Sequence, residues 1–187
     1  MAGRFNGGTI VVKVLLFAGL AGWTTSAIFI AVFEPHFFSS EEKAFLTAVA
    51  ITNNYELKSA QLAQRLGTSD SARSDASNVV INQTRFADAM KTAMARHDPS
   101  FKWPTGVDRS HEQLLTRLGN SKADFAAEYG RQMIASHMLT QVANREYLNR
   151  KHMDRGIRKV VTTSIPSVER QLSSARSLAA RRLASGR

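Results

Sequence analysis

The sequence contains no cysteine. That absence excludes a disulfide scaffold, thiolate-ligated zinc or iron–sulfur sites, and thiol catalysis. Proline is scarce, with 4 residues in 187, so little of the chain is barred from helix. No Glu-x-x-His and no His-Glu-x-x-His occurs, and there is no Gly-rich phosphate loop or nucleophile elbow. Acidic residues are under-represented: 15 Asp+Glu face 25 Lys+Arg, a formal net charge of +10. With 43% hydrophobic residues the chain has the composition of a folded protein, long enough for one domain of ordinary size.

The positive excess is local. Setting aside Arg4, Lys13 and Glu34 leaves 23 basic and 14 acidic residues, or +9. From Arg145 to the C-terminus, 11 Lys+Arg stand against Glu146, Asp154 and Glu169, or +8. Arg145, Arg150, Lys151, Arg155, Arg158 and Lys159 gather near one expected helix turn. Arg170, Arg176, Arg181 and Arg182 follow. These residues form a candidate surface for an anionic partner, either anionic lipid or an acidic protein. The alternative is a solvated basic face with no specific partner.

The longest uncharged stretch is 14–33, VLLFAGLAGWTTSAIFIAVF, preceded by Arg4 and Lys13 and by no acid. Its 20 residues reach about 30 Å as a helix, the thickness of a bilayer's hydrocarbon core. The expected organisation is a cytoplasmic segment over 1–13, a transmembrane signal anchor over 14–33, an exported helical domain over 39–184, and a basic tail end at 185–187. A cleaved signal peptide ending near Thr25-Ser26-Ala27 is the rival, but strong hydrophobicity continues past that site to Phe33. Both readings export the domain and remove nucleic acid from the expected partners. The expected location is a bacterial inner membrane, crossed once, with the C-terminal domain in the periplasm.

From Ser39 onward the apolar spacing is helical, and the expected fold class is all-α, an antiparallel four-helix bundle. Ser39-Ser40-Glu41-Glu42 reads as a capped start of a helix ending near Leu66, with Phe45, Ala48, Tyr55, Leu62 and Leu66 on one side and Leu46, Val49, Asn53, Leu57 and Ala60 adjoining. Ser69-Asp70 opens a second helix ending near His97, with Val79, Gln83, Phe86, Met90 and Met94 inward. Residues 98–109 form a loop whose Phe101 and Trp103 are expected to fold back, and Ser110 is expected to cap a short helix. A third long helix over 122–153 has Phe125, Tyr129, Met133, His137, Thr140, Asn144 and Tyr147 inward. The fourth spans 157–184, with Pro166 expected to kink it or start a new segment.

Five strings in this order, EEKAFLTAVAITNNYELKSAQLA, ASNVVINQT, DRSHEQLLTRL, FAAEYGRQMIASHMLTQV and SIPSVERQLSSA, resemble a bacterial exported family of unassigned function. Its members are ferritin-like bundles called predicted outer-membrane or periplasmic proteins. The resemblance covers about 41–180 and implies a ferritin-like fold and a link to envelope stress. Its pattern places Asp-His in the second helix, His in the third and His late in the fourth. Here Asn82-Gln83 and Gln171 replace the first and last, Ser136 stands where an acid is common, and only His137 matches. Glu56 and His137 can both face inward, but two groups are too few for a metal centre, and no cofactor, metal or catalytic residue is expected. Gln83, His137 and Gln171 are expected instead to satisfy one another in a buried polar layer that fixes helix register.

The functional expectation is a non-enzymatic, membrane-anchored periplasmic bundle acting as an interaction or envelope-stress protein. Two alternatives remain: an accessory subunit of a membrane-bound respiratory or dehydrogenase complex, and a ferritin-like metalloprotein.

Overall fold

The computed structural model describes residues 37–185 except 68 and 152, with side chains through Ala180. The expected anchor over 14–33, together with Arg181, Arg182 and the tail end, lies outside the described residues or side chains. Within the described part no helix is long and apolar enough to cross a membrane. That part is all-helical: α1 (Ser40–Leu66), α2 (Asp70–His97), α3 (Arg109–Gly119), a 3-10 turn (Lys122–Asp124), α4 (Phe125–Asn149) and α5 (Arg155–Ser185).

Helix starts follow local chemistry. Ser39 accepts from the Glu42 backbone N–H while Glu42 reaches back to the Ser39 N–H, a reciprocal capping box. Ser69 caps α2 through the Ala72 N–H. The expected Ser110 cap of α3 is displaced by Asp108, whose carboxylate accepts from the His111 N–H at 2.9 Å and from the Ser110 hydroxyl at 2.7 Å. Those bonds hold the Asp108 carboxyl down at about 2. The third long helix is shorter than expected. Lys122, with φ of 45°, and the 3-10 turn delay its start to Phe125, and it ends at Asn149. The fourth begins earlier, because Asp154 accepts from the Ile157 N–H at 2.8 Å.

α5 runs unbroken through Pro166, so no new segment begins there. Buried Val161 and Val168 flank the proline, and packing on both sides outweighs the loss of one backbone bond. In α1 the buried face centres on the adjoining residues Leu46, Asn53 and Ala60, with Tyr55, more than on the rest of the expected stripe. Leu46, Ala50, Asn53, Tyr55, Glu56, Ser59, Ala60 and Ala63 are buried, while Leu66 is exposed.

α1 packs on α2 and α4, and α5 packs on α2 and α4, closing a ring of four long helices. α3 leans on α1 and α4. Close approach of α4 and α5 needs Gly130, where an added Cβ would stand 2.9 Å from the Ala179 backbone N. The apolar interior divides into two clusters. One centres on Tyr55, Ala76, Val79, Phe125, Tyr129 and Met133. The other centres on Phe38, Leu46, Met90, Met94, Tyr147 and Ile157. Phe101 and Trp103 fold back onto the second.

Candidate functional site: a polar layer and a cavity between two apolar clusters

Each helix of the ring carries polar side chains inward at the level between the clusters. Glu56 of α1 is 2% exposed and His137 of α4 is 1% exposed. Glu56 Oε1 accepts from the Ser136 hydroxyl at 2.5 Å and stands 3.1 Å from His137 Nδ1. Glu56 Oε2 accepts from Gln83 Nε2. Asn53 Nδ2 donates to the backbone O of Gln83 at 3.0 Å and to its Oε1 at 2.7 Å. Glu56 thus gathers α1, α2 and α4 at one point. The His137 contact is an ion pair without aligned hydrogen-bond geometry at either ring nitrogen. Burial works against protonating His137. The nearby Glu56 charge and contact, with Asp75 adding to them, outweigh it and raise the imidazole above its ordinary value. Burial also raises the Asp75 carboxyl, against the opposing effect of Ser174 and Tyr129 beside it.

The expected trio is therefore only partly assembled. Gln83 and His137 meet, but through Glu56 and not directly. Gln171 is 6% exposed, yet its Nε2 has no hydrogen-bond partner among the described residues. The correction has a plain cause: the acid on α1 offers stronger acceptors than a neutral amide does. Glu56 is readable as an inward group beside His137, but nothing in its sequence setting between Tyr55 and Leu57 marks it as the residue that joins three helices.

A second buried network was not legible in advance. The Tyr55 hydroxyl donates to Gln132 Oε1 at 2.7 Å, and Gln132 Nε2 donates to Glu128 Oε1 at 2.9 Å. Glu128 also holds Arg117 at 2.8 Å and Arg131 at 2.7 Å. Burial opposes ionising Glu128, but Gln132 and the two arginines outweigh it and keep its carboxyl below the usual range. Burial pushes the Tyr55 hydroxyl up to about 12. This network ties α3 to α1 and α4.

Between the clusters lies a cavity of about 800 Å³, lined by α1, α2, α4 and α5. Glu56, Gln83, Asn144, Ser167 and Gln171 contribute its polar lining. Val49, Phe86, Val142, Val160 and Val168 contribute apolar walls. No group of three or more His, Asp or Glu placed to hold a metal ion occurs among the described residues. His97 and His111 serve local structure. His97 pairs with Asp154 at 2.9 Å and stacks on Phe38, and His111 pairs with Asp108 at 2.7 Å.

The basic end is heterogeneous. Arg158 donates to the backbone O of Leu148 and of Arg150, both at 2.7 Å, and so clamps the turn between α4 and α5. Arg150 pairs with Glu41 at 3.0 Å. Arg145, Lys151, Arg155, Lys159, Arg170 and Arg176 are exposed, and none has a carboxylate within ion-pair distance among the described residues. At 100° per residue, Arg155, Lys159 and Arg170 fall within about 60° of one another around α5.

No curated protein and no solved structure matches this chain. The family model of DUF4142, described as a domain of unknown function, matches residues 34–178, from the start of the helical domain to near the end of its last helix. That span takes in α1 to α4, most of α5 and the polar layer between the two clusters, and the chain belongs to the DUF4142 family.

Proposed function

We propose that the chain is a non-enzymatic, membrane-anchored periplasmic protein that works by contact with an anionic surface, with anionic phospholipid the favoured partner. The observation that carries this reading is the set of exposed cations on α5 and the end of α4 that have no carboxylate beside them among the described residues. α5 carries seven Lys+Arg against one acid, Glu169. Uncompensated cations near a membrane surface are attracted by about 1 kcal/mol each. The anchor over 14–33 rests on its uncharged length and the basic residues before it. A ferritin-like, antiparallel four-helix bundle is part of the same proposal, supported by the closed ring of long helices.

The test uses the full chain in phosphatidylcholine nanodiscs, so that the anchor is already occupied. Co-flotation with phosphatidylglycerol vesicles, but not with phosphatidylcholine vesicles, is the expected result. Binding should fall as salt rises toward ~0.5 M, where charges are screened within a few ångströms. The triple variant Lys151→Glu, Arg155→Glu, Arg176→Glu should lose it. Equal flotation with both vesicles, or none with either, overturns the proposal.

A further inference from the structure

The cavity between the two apolar clusters has features that a packing defect does not explain. Part of its polar lining is left unsatisfied: Gln171 Nε2, Asn144 Oδ1 and Ser167 Oγ are buried without hydrogen-bond partners among the described residues. Gln171 and Asn144 are 6% and 3% exposed. Unmet buried polar atoms cost about 1–3 kcal/mol each, so three around one cavity are a standing demand for a partner. The volume, about 800 Å³, falls in the range of small-molecule sites. Leu139 and Val142, both large exposed apolar residues of α4, line the same space. Apolar surface left in water is thereby continuous with the cavity walls.

Charge decides the class of occupant. Arg85, Lys159 and Arg170 line the cavity as exposed cations, against the single exposed acid Glu146. Glu56 does not reverse this sign, since Gln83, Ser136 and His137 already hold its carboxylate. Gln171 Nε2 and the Ser167 hydroxyl offer donors. Asn144 offers either end, because a half-turn of its amide exchanges oxygen and nitrogen. We propose that this cavity binds a monomeric anionic amphiphile of the alkyl-carboxylate class, its acidic group taking hydrogen bonds from Gln171 and Ser167 and its chain lying along Val49, Phe86, Val142, Val160 and Val168.

The test is titration calorimetry of the full-length chain in phosphatidylcholine nanodiscs, with protein-free nanodiscs subtracted. Octanoate, 1-octanol and octyltrimethylammonium share one chain length and differ in head-group charge. Octanoate should bind about tenfold or more tightly than octanol, and the cation should not bind. Gln171→Leu keeps the side-chain size and removes the donor. It should weaken octanoate about tenfold and leave octanol unchanged, with an unfolding midpoint no lower than the parent's. Ala143→Phe fills the cavity and should abolish binding of both. Octanoate binding no tighter than octanol overturns the proposal, as does undiminished octanoate binding by Gln171→Leu.

Discussion

Removing one member of a buried charged pair leaves the other in a medium that solvates it poorly, so truncation costs more than the pair contributes. Glu56 and His137 meet that condition, each at most 2% exposed and 3.1 Å apart. His137→Leu is expected to destabilise the protein by about 3 kcal/mol at mildly acidic pH, moderated by the Gln83 and Ser136 bonds that remain on Glu56. The pH dependence follows from the raised imidazole pKa. A group whose folded value exceeds its unfolded value of about 6.5 binds its proton more tightly in the native state. Its contribution is fully present below that pH and is lost as pH rises through the folded value. Urea unfolding of parent and variant across neutral pH should show the gap narrowing upward. A gap that widens with pH would mean that His137 folds as the neutral ring.

At the scale of the element, helix starts and helix contacts obey different physics, and the difference fixes what is legible in sequence. Ser39 with Glu42, and Ser69, are readable because a cap involves neighbours three residues away. The start of α3 misleads because Asp108 and Ser110, two comparable capping residues, stand two positions apart. The buried face of α1 is only partly legible because helices in close contact favour small residues such as Ala50 and Ser59, while an apolar count favours large ones such as Leu66. Glycine separates these effects experimentally. At Gly119, at the end of α3, an added Cβ meets nothing within 4 Å, so Gly119→Ala should stabilise by about 0.5–1 kcal/mol through helix propensity. At Gly130 the same change gains the same propensity but drives Cβ against the α5 backbone, 2.9 Å from Ala179 N and 3.0 Å from Ala175 O. Backbone cannot step aside as a flexible side chain can, and Gly130→Ala should be destabilising by about 1–3 kcal/mol. Thermal unfolding of the two variants should give shifts of opposite sign; two shifts of one sign would refute the close α4–α5 contact.

Across the whole molecule, two apolar clusters sandwich a level that is polar, cavity-bearing and incompletely bonded. The all-helical class and the inward register of Gln83 and His137 are legible from spacing, because a 3.6-residue period is a property of the chain itself, whereas the inward place of Gln171 is implied only by the family resemblance. Which of those side chains find partners is not legible, since hydrogen bonding turns on fractions of an ångström between helices far apart in sequence. Gln83 reaches Glu56 across 27 positions, whereas Gln171 Nε2 reaches nothing among the described residues. A protein selected only for stability would fill such a level with leucine, so the orphaned amides mark a place where stability has been given up. The double variant Asn144→Leu, Gln171→Leu replaces two unsatisfied buried amides with apolar groups of similar size. It is expected to be more stable than the parent by about 1 kcal/mol per site, opposite in sign to His137→Leu, about two helical turns from Asn144 along α4. Urea unfolding of the full chain at fixed pH checks this. A double variant less stable than the parent would show that the two amides hold partners in solution and that the level between the clusters is bonded throughout.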